Sequence, residues 1–303
     1  MTAPEKFSDL FDLFVSLRSG YVRETTIRDT FIPTKKAVLR NLGDPIVHNV
    51  SPLDLLQLIQ TLLKTRKPTG VNVNIRVLRT FGRWLSAQIP ELEKNSFSKL
   101  TTIKVADRPI RFLTKEEFRK IFQAEKRPEM RRFYLWGLCT GLRAGDLTRL
   151  RFDDIDRRSG MIRVRNSKSG RVATIPLHPD LNKLLDEMTP GSDGSLWSRR
   201  FSVSYVSHRF KKASKDAGIQ DVSLHTLRKT FGSWLSRNGV NIFEIQKLLM
   251  HSSPILTAKY YAYLQPSDLG RYVAKLAPAT GSISVEEEDQ PETSEYLVGS
   301  RNT

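Results

Sequence analysis

The chain has a single cysteine in 303 residues, Cys139, inside the apolar run FYLWGLCTGL. One thiol excludes an internal disulfide framework and a thiolate metal site, and the apolar neighbours mark Cys139 as a small buried hydrophobe. Long apolar runs are also missing, since none approaches the ~18 residues of a membrane span. The N-terminus, MTAPEKFSDL, lacks a basic stretch followed by an apolar one, so no signal peptide is expected. Acidic side chains are scarce beside basic ones: 32 Asp+Glu face 49 Lys+Arg, a formal net charge of +17. These absences point to a soluble protein without membrane attachment. The basic excess suits a polyanion such as nucleic acid, because each neutralised phosphate releases counterions. A high charge that serves solubility alone is the competing reading.

The length favours two domains. The first hundred residues read as helical: LLQLIQTLLK (55–64) and VNIRVLRTFGRWL (73–85) repeat their apolar residues at helical spacing, with Pro68 and Gly70 between them. On the second helix Val77, Leu78, Phe81, Trp84 and Leu85 share one arc. Arg76, Arg79 and Arg83 cluster just outside it, either as a DNA-backbone face or as a solvated basic face. Residues 95–112 lack periodicity and read as a linker, which leaves 1–94 as a helical DNA-binding domain. A second domain, 113–278, opens with the capping-box pattern Thr114-Lys115-Glu116-Glu117. Within it, two helices break at Thr140-Gly141, and GMIRVRNSKSGRVATIPL (160–177) reads as a β-hairpin around a polar turn. Further helices are expected near 202–216, 225–238, 241–249, 254–264 and 267–276. Residues 279–303 hold six acidic side chains and one basic one, an expected disordered acidic tail.

Several separated groups in the second half invite a common reading. Arg143 stands three residues before Asp146, a spacing at which a carboxylate orients a guanidinium, or at which a plain surface ion pair forms. Lys168 sits at the hairpin tip, where lysine often serves solubility. His225 and Arg228 lie three apart and project from one helical face. His251 falls in a turn between helices, where a capping role is the simpler account, and Tyr260 and Tyr261 follow it. Taken singly each has a bland explanation. Taken together they offer a cationic clamp for one phosphate and a phenol to attack it.

The ordered boxes TGLRAGDLTRLRFDDID, NSKSGRVATIPL, SLHTLRKTFGSWL and LLMHSSPILTAKYYAYL resemble those of the tyrosine recombinase (phage integrase) family, specifically its two-domain Xer-like type without an arm-binding domain. The resemblance extends over most of residues 7–275. It implies a mainly α fold: a helical SAM-like core-binding domain, then a mixed α+β, mostly helical catalytic domain with a small antiparallel sheet. It also implies that Arg143 and Arg228 grip the scissile phosphate, that His251 adds a hydrogen bond, and that Lys168 protonates the leaving 5′ oxygen. His225 then assists the attacking phenol, and Asp146 orients the clamp. The family places its nucleophile nine residues after the histidine of the last box, which selects Tyr260. Tyr261 is the alternative, because the YAYL string resembles the family's Y-A-H-L. Arg76, Arg79, Arg83, Lys211 and Lys212 are candidate DNA contacts.

The implied activity is site-specific recombination of double-stranded DNA through a 3′-phosphotyrosine and a Holliday junction, without ATP, metal or other cofactor. The implied assembly is a homotetramer (a dimer of dimers) on paired sites, with the two domains clamping the duplex, alone or with a second recombinase or accessory factor, in the cytoplasm at the nucleoid. A type IB topoisomerase and a non-catalytic basic DNA-binding protein are the alternatives. Two positions depart from the family pattern. Asp146 replaces a usual glutamate, and Met250 stands where a glycine is usual in Leu-Gly-His. A helix end there without a left-handed residue accommodates methionine; a tight left-handed turn strains it.

Overall fold

The computed structural model describes residues 6–106, 110–165, 170 and 172–261. The chain gathers into two compact units, residues 1–108 and 109–303, each with its own core. Lys168, the stretch 267–276 and the acidic tail lie outside the described residues.

The described part of the first unit is helical. α1 (Phe7–Arg18) is followed by α2 (Glu24–Thr26), which passes through a π turn at Ile27–Phe31 into α3 (Ile32–Leu42); α4 (Pro52–Leu63) and α5 (Pro68–Gln88) complete it. The start of α4 is fixed by a reciprocal cap: Asp54 N–H donates to Ser51 Oγ at 3.2 Å and Ser51 N–H donates to Asp54 Oδ2 at 2.8 Å. Pro52 and Pro68 occupy first-turn positions, where a missing N–H leaves no bond unmade. Phe7, Phe11 and Phe14 recur at helical spacing along α1 and close on Phe81 of α5 with ring centroids 5.1–5.5 Å apart.

The segment expected to link the domains, 95–112, begins as part of this first unit. Asn95 is buried and donates to the Gly82 carbonyl at 2.9 Å, and Phe97 is fully buried. Asn72 donates to the Ile103 carbonyl at 2.9 Å and accepts from its N–H at 2.8 Å, as a strand partner would. Gly82 makes this approach possible, since a Cβ there would lie 2.3 Å from Ser98 N. These contacts are tertiary and leave no periodicity along the sequence to read.

The second unit is mostly helical with one small sheet. Its helices are α6 (Lys115–Ala124), α7 (Pro128–Thr140), α8 (Ala144–Leu147), α9 (Pro179–Leu184), α10 (Val203–Asp216), α11 (Leu224–Arg237), α12 (Ile242–Leu248) and α13 (Pro254–Ala258). Thr114 and Glu117 cap α6 reciprocally, as their spacing predicts. The sheet is antiparallel in the order β1 (Ile155–Asp156), β2 (Met161–Arg165), β3 (Val172–Pro176), with Met161 opposite Pro176 and Arg165 opposite Val172. The expected hairpin is therefore present, and the two-residue β1 that adds an edge to it is too short to carry an alternation signal. Ile162 and Val164 point into the core and Arg163 and Arg165 out of it.

The core packs α7 against α11 and gathers Phe133, Tyr134, Trp136, Trp197 and Phe210. Two polar ties position α11. Leu113 N–H donates to Thr230 Oγ1 at 2.9 Å, and Trp234 Nε1 donates to the Leu113 carbonyl at 3.0 Å. Between α6 and α7 the fully buried Glu125 is matched by Arg209 at 2.5 Å and by the Tyr134 hydroxyl at 2.9 Å, which satisfies a charge that would be costly alone.

Candidate active site

Arg143, Asp146, His225, Arg228, His251 and Tyr260 converge where α7, α8, α11, α12 and α13 end or begin. α7 stops at Gly141, whose left-handed backbone (φ 63°) turns the chain into α8. Glycine is needed twice over here, because a Cβ would also meet the Phe231 ring at 2.4 Å. The turn places Arg143 at the cap of α8, over Asp146. The Asp146 carboxylate is completely buried, 4.0 Å from Arg143 Nη1 and 3.1 Å from Arg149 Nη2. Arg143 Nη1 is itself buried and makes no hydrogen bond among the described residues.

Arg228 leaves α11 and is only 2% exposed. Its guanidinium donates through Nη1 to the Gly141 carbonyl at 2.7 Å and through Nη2 to the Leu249 carbonyl. Both acceptors belong to the C-terminal ends of helices, where unpaired carbonyls and the helix dipole favour a cation. Burial and then the nearby Arg143 bring Arg228 down to about 10, partly offset by Tyr260 and Asp146, so it stays charged at neutral pH. Two guanidiniums held this close repel each other, and a bound anion relieves both.

The end of α12 sets His251. Met250 N–H donates to the Lys247 carbonyl at 2.9 Å and His251 N–H to the Gln246 carbonyl at 3.0 Å, the paired bonds of a Schellman turn. Its left-handed residue is Met250, with φ 48°. Of the two conformations the sequence allows at Leu249-Met250-His251, the strained one is adopted, and methionine bears the cost that glycine would avoid. The partly buried Met250 side chain packs on the second unit's core in return.

His251 Nδ1 lies 2.9 Å from Oγ1 of the fully buried Thr257. Burial, Arg228, Arg143 and His225 together lower His251 to about 4, leaving it neutral at physiological pH. His225, whose rim reaches solvent, is lowered by partial burial and by Arg228, Lys229 and Arg143. A neutral imidazole of this kind can accept a proton.

The two tyrosines part company. The Tyr260 ring stacks on His251 at 6.3 Å and 15°, and it seats against Gly232 of α11, where a Cβ would come within 2.8 Å of it. Burial raises the Tyr260 phenol above its ordinary value, while Arg228 and Arg143 pull it back down. Both rings belong to one small apolar cluster, but Tyr261 donates its hydroxyl to the Val240 carbonyl.

Of the candidate DNA contacts, Arg76 and Arg83 are exposed and Arg79 half-buried on α5, with Lys211 and Lys212 exposed on α10; Lys212 pairs with Asp216 at 3.1 Å. The first unit has a further basic concavity, lined by Arg28, Lys36, Arg40 and Arg66, which helix-by-helix reading misses because the π turn, α3 and the turn after α4 build it jointly. Thr257 and Gly232 carried no signal of their own, since their parts depend on side chains distant in sequence.

A family model described as the phage integrase family matches residues 111–267. The tyrosine recombinase XerA of Saccharolobus solfataricus is 28% identical over 222 residues, covering 72% of this chain and 72% of the relative. XerA of Thermococcus onnurineus is 31% identical over 205 residues, 63% of this chain and 70% of that one. A lambda integrase dimer bound to a COC′ core site superposes with a TM-score of 0.75 at 22% identity, over 84% of this chain and 95% of that one. A lambda integrase tetramer bound to a Holliday junction gives 0.74 at 21% identity, over 87% and 80%. The fold is therefore shared with these integrases, and the family match spans more than half of the sequence. The chain belongs to the phage integrase family.

Proposed function

We propose that the chain is a site-specific DNA recombinase that cuts and rejoins duplex DNA with Tyr260 as nucleophile. The observation that carries this reading is the convergence on one phenol of two guanidiniums and a neutral histidine: Tyr260 feels Arg143 and Arg228 and stacks on His251. A binding protein does not require a buried tyrosine seated in a cationic pocket, whereas an enzyme that transfers a phosphoryl group through a phosphotyrosine does.

In the proposed reaction the phenolic oxygen forms a bond to the scissile phosphorus and the bond from phosphorus to the 5′ oxygen breaks. The phenolic proton passes towards neutral His225, and Lys168 supplies a proton to the departing 5′ oxygen. Arg143 and Arg228 counter the charge that grows on the non-bridging oxygens, and His251 donates to one of them. The product is a 3′-phosphotyrosine and a 5′ hydroxyl. The phosphoester keeps the bond energy, so attack by a 5′ hydroxyl reseals DNA without a nucleotide triphosphate. Tyr261 is the weaker candidate, because its hydroxyl is engaged by Val240.

The same reading makes the first unit the core-binding domain, which holds the duplex through Arg76, Arg79 and Arg83, with Lys211 and Lys212 adding phosphate contacts from the catalytic unit. Double-stranded DNA is the partner, and four protomers assemble on paired sites and exchange strands through a Holliday junction, with a second recombinase or accessory factor as an optional addition. The enzyme then works at the nucleoid.

Covalent trapping tests the reaction. Wild type, Tyr260→Phe and Tyr261→Phe are incubated with labelled nicked duplexes from the DNA flanking the gene and quenched with detergent. The expected result is a 3′-linked protein–DNA adduct lost only in Tyr260→Phe. An adduct lost only in Tyr261→Phe reverses the assignment, and tight binding without an adduct favours the binding-protein alternative. Relaxation of a supercoiled plasmid that lacks paired sites, by a monomer, would support the topoisomerase alternative.

A further inference from the structure

Beside the clamp is a second concavity of about 340 Å³, lined by Arg149 and Arg151 after α8, Arg163 and Arg165 of β2, and Asp146 and Asp154. Arg163 and Arg165 point outward because Ile162 and Val164 between them fill the core, so both stand on a rigid strand rather than a mobile loop. Among the described residues, four guanidiniums thus face two carboxylates. Asp154 is already engaged, accepting from Arg151 N–H at 2.9 Å in a turn cap. Asp146 is completely buried and lies between Arg143 of the clamp and Arg149 of the concavity. One carboxylate therefore separates the two cationic sites.

We propose that this concavity binds the DNA phosphodiester adjoining the scissile one, through Arg149, Arg163 and Arg165. The proposal rests on the reading that Arg143 holds the scissile phosphate. Successive phosphates follow one another along a strand, one charge per nucleotide, so a strand gripped at Arg143 brings its next charge to the other side of Asp146, where Arg149 stands. The chemistry fits a diester: several fork-shaped donors suit a tetrahedral anion with two free oxygens. Occupied, the site would set the register in which the strand meets Tyr260, with Asp146 coupling the two grips.

The double variant Arg163→Gln, Arg165→Gln tests this, since both side chains are exposed and their removal leaves the core intact. Binding to a generic duplex is measured against salt concentration. The slope of log K against log salt is expected to fall by roughly 0.9, the value for one phosphate that the variant no longer neutralises, and an unchanged slope overturns the proposal. On the duplex that traps the covalent adduct, a neutral methylphosphonate replaces the phosphate next to the scissile one. This substitution should weaken wild type more than the double variant, which keeps Arg149 alone of the three donors; equal weakening of both overturns the assignment to that phosphate. Wild type that forms no adduct while the slope still falls would instead count against the recombinase reading and against adjacency to a scissile phosphate.

Discussion

Replacing Gly232 by alanine should separate folding from chemistry. The added Cβ would sit 2.8 Å from Tyr260 Cε1 and 3.0 Å from Cδ1 and Cζ, against an ordinary contact near 3.4–4 Å. The ring must shift by several tenths of an ångström away from α11. It cannot do so freely, since it is only 8% exposed and stacks on His251. Overpacking of this kind costs roughly 1–3 kcal/mol. Alanine in place of glycine inside a helix returns roughly 1 kcal/mol, so the net loss of stability should be no more than about 2 kcal/mol and the enzyme should fold. Activity should suffer more, because a misplacement of about 1 Å can slow a reaction ~10²-fold. The assay is single-turnover formation of the covalent adduct at saturating DNA, alongside a denaturation midpoint and DNA affinity. Affinity should hold, because no cation is touched. Adduct formation at the wild-type rate in a folded Gly232→Ala enzyme would show that the reacting tyrosine does not rest on α11.

Three other perturbations bear on the same site. Met250→Gly should keep or improve stability and cleavage by relieving a left-handed methionine, whereas the β-branched Met250→Val should lose more than about 1 kcal/mol of stability and slow cleavage as the Leu249 carbonyl leaves Arg228; midpoints and adduct rates for both decide it. Thr257→Val removes the partner of His251 Nδ1 at nearly constant volume, so about 1 kcal/mol of tautomer preference, and roughly fivefold in adduct rate, should disappear while Thr257→Ser retains most of both. The last concerns pH. His251 is held at about 4, below its unfolded value, so it binds fewer protons folded than unfolded. The associated stability is therefore present above pH ~6.5 and is lost as pH falls towards ~4. Scaled down for a half-buried group, the loss is about 1–2 kcal/mol. It should show as a shallower decline of denaturation midpoint with falling pH in His251→Gln than in wild type.

The parts of this molecule that follow from local rules were legible in the sequence. Thr114 and Glu117 announce α6, the alternation around 161–176 announces the hairpin, and the breaks at Gly141 and before His251 fall where the ordered boxes put them. The resemblance to the family favoured Tyr260, and the engagement of Tyr261 by Val240 supplies a physical reason that no count of residues contains. What stayed hidden depends on contacts between distant segments. The stretch 95–103 has no periodicity because Asn72, Asn95 and Gly82 hold it one residue at a time. Met250 gave two possible turns, and the hydrogen bonds of the α12 terminus decide for the left-handed one. The four arginines of the second concavity come from two elements, separated by a turn and an edge strand, and each alone looks like an ordinary solvated side chain.

The grip on Arg228 comes from main-chain carbonyls at Gly141 and Leu249 rather than from another side chain. Substitution of Arg228 itself deletes the cation but leaves its socket, which persists as long as the two helix ends do. For protein engineering this divides the enzyme usefully: side chains on the DNA-facing surfaces can be varied widely to change the site recognised, while the orientation of the arginine is carried by backbone geometry that such libraries leave untouched. The socket is also a built receptor for a small guanidinium ion, so an enzyme stripped of Arg228 retains a place into which its missing chemistry can be returned from solution.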